Sequence, residues 1–505
     1  MHSSALLLSP RPPGAPTDLT ERRVSMERKA GSVPLYEQLA ANLHGLILKS
    51  VYLEGERVPS VRQTSQHHRV SVTTVLKAYL LLESRGVIES RPQSGYFVRP
   101  RSGGVLQNVP KPHEVSVSSD ADGSRLVLST LRSIQSKDAA PLGSPYPDQS
   151  QFPWQKINQY VHAISRRQVE WNIADDLPPG NPALIREIAK RYMEHGMAVD
   201  PGEIVVTAGA TEALNLCLQA VAKPGDAIAI ESPAHYTMLH AMERMGMHAV
   251  EIRTDPTTGM NLMELERAID TRNVQACMVM PNFQNQLGFQ MSDARKRALV
   301  DLISRRELPV IENDVYSELY FGDTHPTALK TYDTKGLVLH CSSFSKALTS
   351  AVRIGWTMAG RYRSEVEKLK FVGMHSTSSI SQMAITEYLR NDGYDHHLRK
   401  VRRLYQQQAK IMAYAVQRFF PVGTRVSTPA GGYVMWVELP GEADSTLLYG
   451  AALERGITVA PGRLFSISEK YRNCIRLNYS YPWTPRMERA VETLGQLAYL
   501  SMVRG

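Results

Sequence analysis

At 505 residues the chain is too long for one ordinary domain, so two or more folded units are expected. Its 43% apolar and 21% charged content is that of a folded, soluble protein, and no run of about 18 apolar residues is present to span a membrane. The formal charge of +9 suits an anionic partner without identifying one, and the four cysteines are too scattered for a disulfide framework or a metal-binding pair, which fits reduced thiols in a cytoplasm.

In chain order, residues 1–30 are rich in Pro, Ser and Arg, lack apolar periodicity and read as a disordered tail. Their one apolar run, Ala5 to Leu8, is too short for a signal peptide's hydrophobic region, and Met26 is an alternative start to Met1. An ordered unit is expected over 31–100. In it, "PLYEQLAANLHGLIL" sets Leu35, Leu39, Leu43, Leu46 and Ile47 near helical spacing. "VPSVRQTSQHHR" opens on Pro59 and Ser60, residues that start helices. "VSVTTVLKAYLLLESRG" has Ser71 as its N-cap, an apolar face of Val75, Tyr79 and Leu82, and Gly86 as its stop. "VIESRPQSGYFV" then reads as two short strands around a turn holding Pro92 and Gly95. Three helices and a hairpin make a winged helix-turn-helix, whose second motif helix enters the major groove with its N-terminal side chains toward the bases. That end offers Ser71, Thr73 and Thr74, with Lys77 one turn on. Arg62 is placed for a phosphate, and Arg91 with the Gly95 wing for the neighbouring backbone.

These segments closely resemble the GntR-type winged-helix domain over its full length. The resemblance implies a double-stranded DNA operator as partner, contacted by Arg62, Ser71, Thr73 and Thr74. The chain departs from the family pattern twice. Val72 stands where Arg often follows the N-cap, which removes one base or phosphate contact. Thr64 and Ser65 replace the usual Leu-Ala, setting polar atoms at a helix–helix contact where they need partners if buried.

Residues 101–124 have the Gly, Pro and Ser content of a linker. Over 125–505, helical patterns alternate with short apolar strands such as "DAIAIE", "ACMVMP", "LPVIEN" and "GLVLHC", which predicts an α/β fold with a mostly parallel sheet covered on both faces. In "HCSSFSKALTSAVRIGW" an apolar strand ends among hydroxyls, Ser343 and Ser345, followed by Lys346 and, seven residues on, Arg353. Schiff-base chemistry needs a lysine beside a phosphate anchor and a group holding a pyridine nitrogen, and this string supplies the first two.

The string resembles the S-F-S-K-x-L-x-x-x-x-R-x-G segment of fold-type I pyridoxal-phosphate aminotransferases, and from about residue 176 to 479 further motifs occur in that family's order. The resemblance implies pyridoxal 5'-phosphate on Lys346, an aspartate-aminotransferase-like large domain and a smaller C-terminal α+β subdomain. It gives Gly209, Ala210 and Thr211 of "VVTAGATEAL" to the cofactor phosphate through backbone N–H groups and the helix dipole. In "ESPAHYTML" His235 takes the position that stacks on the ring, with Tyr236 beside it. Asn285 of "PNFQNQLGF" donates to the ring hydroxyl oxygen, with Gln286 where a Pro is usual. Arg476 of "NCIRLNYSYP" grips a ligand carboxylate with its planar fork. In "PVIENDVYSELY", Tyr316 bonds the ring oxygen, and the family spacing counted back from it lands on Asn313; a shift of one residue puts Asp314 against the pyridine nitrogen instead. The choice matters because an acid keeps that nitrogen protonated and the ring an electron sink, which a neutral Asn does less strongly. Both registers stay open.

Fused in this order, the two resemblances imply a MocR-type GntR regulator, cytoplasmic in a bacterium and on the nucleoid when bound to DNA. Its effector would be an amino compound or pyridoxal phosphate itself, its assembly a head-to-tail homodimer presenting two heads to paired half-sites. Two other readings are an aminotransferase carrying a DNA-binding appendage and a helix-turn-helix used to bind protein. Weak transamination is compatible with the first reading.

Overall fold

The structure, a computed structural model, describes residues 34–49, 51–92, 94–99, 122–133, 136, 138–166, 177–468 and 470–503. Its contacts divide the chain into two compact units, Met1–Ser116 and Val117–Gly505. The tail expected over 1–30 and most of the linker expected over 101–124 lie outside the described residues; 122–124 already belong to a helix, Asp122–Ser133.

In the first unit, helices α1 (Leu35–Leu48), α2 (Val61–His68) and α3 (Val72–Ser84) precede an antiparallel hairpin, β1 (Ile88–Arg91) and β2 (Gly95–Val98). Ser60 starts α2 with a capping box: its hydroxyl accepts from the Gln63 N–H, and the Gln63 side chain accepts from the Ser60 N–H. Ser71 caps α3 by accepting from the Thr74 N–H. Leu39, Leu43, Val75, Tyr79, Leu82, Ile88 and Val98 close into one core, while Leu46 stays exposed at the end of α1. The substituted polar pair has its partners. Thr64 is buried and donates to the Tyr79 hydroxyl at 2.8 Å, which in turn donates to the Pro59 carbonyl at 2.7 Å. Ser65 donates to the Val70 carbonyl at 2.7 Å.

The second unit is built on a sheet of eight strands: β3 (Ile204–Thr207), β4 (Ala227–Ser232), β5 (His248–Asp255), β6 (Gly259–Met260), β7 (Val274–Val279), β8 (Val310–Asn313), β9 (Val338–Ser343) and β10 (Gly355–Met358). The order is β3-β10-β9-β8-β7-β4-β5-β6. From β9 to β5 all neighbours are parallel, and β10 runs against both of its own. Strands β3, β9 and β10 are buried from end to end, as expected for a parallel-type sheet covered on both faces. A smaller antiparallel sheet follows: β11 (Arg425–Val426), β12 (Val434–Glu438), β13 (Ala460–Pro461) and β14 (Cys474–Asn478), in the order β11-β12-β14-β13. It packs with the long helix Tyr394–Phe419 and the helices Ser445–Leu453 and Pro485–Val503 in one core. No helix among the described residues is long and apolar enough to cross a membrane.

Candidate functional site

Strand direction gathers the site. β3, β4, β7, β8 and β9 all run toward one edge of the large sheet, and β10 starts there, so the segments at that edge converge where open α/β sheets hold ligands. A cavity of about 940 Å³ lies at this edge. It is lined by Ala210 and Thr211 after β3, His235 and Tyr236 after β4, Asn285 after β7, Asn313 and Tyr316 at the end of β8, and Ser343, Ser345, Lys346 and Arg353 between β9 and β10.

One wall is built for an anion. Gly209 precedes the helix Ala210–Val221 with φ of +96°, a conformation L side chains rarely adopt, and a Cβ there would sit 2.6 Å from the Arg353 guanidinium. The arginine therefore reaches across the glycine to the helix N-terminus, where it donates to the Ala208 carbonyl at 3.0 Å. Free N–H groups, the positive helix end and a guanidinium thus face the same space.

Opposite, Lys346 donates to the Pro145 carbonyl at 2.8 Å and lies over the Tyr146 ring. Burial, and then Arg476 and Arg353, push its ammonium down to about 7, so that near neutrality a large share of the amine is uncharged and nucleophilic. Arg476 on β14 is only 1% exposed, donates to Asn285 Oδ1 at 2.5 Å and to the Gly143 carbonyl at 3.2 Å, and keeps a buried Nε without a partner. Asn285 donates from Nδ2 to the Tyr316 hydroxyl at 2.6 Å, which donates on to Tyr433 at 3.3 Å. The His235 ring stacks on Tyr236 with centroids 4.7 Å apart, and burial, then Arg476 and Lys346, hold it neutral by pushing it down to about 3.

The two registers at the end of β8 separate cleanly. Asn313 lines the cavity and its Oδ1 is buried without a partner. Asp314 does not line it: its side chain turns to Asn282, which donates to Oδ1 at 2.9 Å, and faces His340 at 3.9 Å. Alternation along the strand is the cause, since neighbouring residues face opposite sides of a sheet. Burial pushes the Asp314 carboxyl up, while Glu312, on the Asp314 side of the strand, accepts from His340 at 2.8 Å.

Sequence reasoning missed Pro145, Tyr146 and Tyr433. The first two sit in "GSPYPDQS", whose Pro and Ser content reads only as a loop; the Gly-Gly before Tyr433 was the sole hint of a close approach there. His195, Glu318 and His325 also come together elsewhere in this unit. Glu318 there already pairs with Arg191 and Arg402, and the two imidazoles stack face to face at 3.9 Å, so the acid's charge is already matched by two guanidinium groups.

In the first unit, Arg62, Ser71, Thr73 and Lys77 are exposed at the starts of α2 and α3. The Thr74 hydroxyl is bonded to that of Ser71 at 2.8 Å, so the pair is partly spent on the cap. Arg91 is likewise engaged, pairing with Glu89 at 2.8 Å and lying 4.4 Å over Phe97. Gly95 has φ of +98° and lets the Arg57 guanidinium lie against the wing, a cation that motif reading passed over.

Comparison with known proteins agrees with both units. Residues 35–98 match the family of bacterial regulatory proteins of the gntR type, and residues 157–494 match aminotransferase class I and II. The chain is 39% identical over 464 residues to the uncharacterised HTH-type transcriptional regulator YdcR of Escherichia coli, covering 92% of this chain and 98% of that one. A second uncharacterised E. coli regulator of the same type, YjiR, is 33% identical over 92% of this chain and 99% of its own. Among solved structures, LysN, an α-aminoadipate aminotransferase of Thermus thermophilus complexed with N-(5'-phosphopyridoxyl)-L-leucine, is 25% identical with a TM-score of 0.69, over 76% of this chain and 98% of that one.

Proposed function

The chain belongs to the GntR-headed regulators that carry an aminotransferase class I and II domain, and on that premise we propose that it regulates transcription by coupling amine recognition at a pyridoxal phosphate site to DNA binding. The observation that carries this reading is the convergence, in one cavity, of an anion cradle and a buried lysine whose ammonium is pushed down to about 7 by burial and two arginines. The residues fit the cofactor. Gly209 leaves open the space that any larger residue would fill beside Arg353, and two buried polar atoms lack partners: Asn313 Oδ1 could accept from a protonated ring nitrogen, and Arg476 Nε could donate to a carboxylate.

When bound, the cofactor supplies an aldehyde that condenses with primary amines. Lys346 would hold it, the Ala210 and Thr211 N–H groups with Arg353 would take its phosphate, His235 would cover its ring, and Asn285 and Tyr316 would meet its ring oxygen. Arg476 takes the carboxylate of an amino-acid-like effector, exchanging its bond to Asn285 for a two-pronged pair. Asn313 is a neutral partner for the ring nitrogen, which favours a site that recognises amines over one that turns them over fast. An effector then shifts DNA binding only by the difference in its affinity for the two states of the protein. Two chains associated head to tail would offer two heads to paired half-sites.

Purified full-length protein is expected to gain visible absorbance with pyridoxal phosphate that Lys346→Ala lacks, and to retard duplex DNA from upstream of its own gene. Protein that stays colourless would overturn the cofactor reading. No retardation, with or without cofactor, would overturn the regulator, and turnover of a common amino acid at ordinary enzyme rates would make the head an appendage.

A further inference from the structure

From residue 57 to 82 the chain carries four Lys or Arg (Arg57, Arg62, Arg69 and Lys77) and no Asp or Glu. This stretch spans α2 and most of α3, so the surface around the start of α3 is cationic and complementary to a phosphate backbone. In its midst stands an apolar stripe. Val72, Leu76 and Leu80, one turn apart, are 46%, 38% and 56% exposed, while the opposite face of the same helix is buried through Val75, Ala78, Tyr79 and Leu82. The exposed stripe runs beside Thr73 and Lys77.

A helix in the major groove meets base edges with its first turns. Of the hydroxyls there, Ser71 and Thr74 are bonded to each other and partly committed to the cap, while Thr73, Lys77 and the apolar stripe stand open beside them. Large aliphatic side chains gain nothing against phosphates. Along the major-groove edges the one apolar group is the C5 methyl of thymine. We propose that Val72 and Leu76 read thymine methyl groups in the operator. The inference rests on the DNA-binding function proposed above. Leu80, a further turn away from the helix start, lies outside the contact.

The test uses full-length protein to select duplexes from a random pool, then remakes the selected duplexes with uracil for thymine, which removes only the methyls. Wild-type protein should bind the uracil duplex about fourfold more weakly for each methyl contacted, the effect of exposing one methyl-sized apolar group. Val72→Ala and Leu76→Ala should each bind the thymine duplex more weakly, match wild type on the uracil duplex and lose about fourfold of the discrimination for each methyl contact removed, whereas Leu80→Ala should keep all of it. All three positions are exposed, so unchanged melting and cofactor absorbance are expected of each variant. Failure to enrich any duplex would overturn the DNA-binding reading itself. Enrichment with equal affinity for thymine and uracil would overturn methyl readout alone. Discrimination that is undiminished in both Val72→Ala and Leu76→Ala would assign it to duplex shape and overturn the roles of these side chains.

Discussion

Arg62 and Arg476 are both candidate anion binders, yet they stand in opposite circumstances. Arg62 is exposed on α2, the other residues proposed to face DNA lie within a few turns of chain, and the head folds around its own core of Leu39, Val75, Tyr79 and Leu82. Arg476 is 1% exposed and its hydrogen bonds are reached only through the fold, since Asn285 and Gly143 come from two distant segments, with Phe465 packed beneath it. In the head, recognition is laid over a finished core. At the cavity, recognition residues are themselves the partners that satisfy one another's buried polar groups, so binding and stability are entangled there.

The largest effect should therefore come from Arg476→Ala. It strips donors from Asn285 Oδ1 and the Gly143 carbonyl, both buried, at about 1–3 kcal/mol for each group left unsatisfied. Thermal unfolding should report a clear loss in the second unit, together with loss of any response to carboxylated amines. Unchanged melting would break the contrast, because the site would then be as separable from the core as the head's surface is.

Tyr79→Phe sharpens the contrast from the other side, since Tyr79 is the polar residue on which the head's own core depends. Its hydroxyl serves both Thr64 and the Pro59 carbonyl, and removing it should cost the head about 1–3 kcal/mol. DNA affinity, corrected for the folded fraction, should not move. A loss of affinity in fully folded protein would mean that core and reading face are coupled.

Next in size is a pH effect confined to the cavity. The fraction of Lys346 that is uncharged rises with pH through about 7, where burial first and then two arginines have brought it. Capture of pyridoxal phosphate by cofactor-free protein should be about tenfold slower at a pH one unit below that value than well above it. Stopped-flow absorbance measures it, and a rate still climbing above pH 9 would show an ordinary lysine.

The same contrast governs how much of the molecule was legible beforehand. The head could be read almost completely, because caps such as Ser60 and Ser71 and the spacing of Val75, Tyr79 and Leu82 act within a turn or two. In the second unit, the alternation of strands and helices and the string around Lys346 pointed to the sheet and its ligand edge. Contacts between remote segments were not readable. Nothing near Lys346 in sequence announces Pro145 as its hydrogen-bond partner, and the choice between Asn313 and Asp314 depended on which side of β8 each residue faces. Thr64 was the reverse case: its polarity was visible as a problem, and the solution, Tyr79, lay fifteen residues on.

The smallest effect on stability, and the sharpest test of separability, belongs to Arg62→Ala. The side chain is exposed and outside the head's core, so melting should stay within about 0.5 kcal/mol of wild type. On the proposed reading its charge faces a phosphate, a contribution lost equally on every sequence. Affinity should fall on specific and random duplexes alike, and the slope of log affinity against log salt should shrink by about one. Cofactor absorbance and its titration by amines should be untouched, because Arg62 is not among the residues that line the cavity. A drop on the selected duplex alone, with the salt slope unchanged, would move Arg62 from the backbone to a base edge.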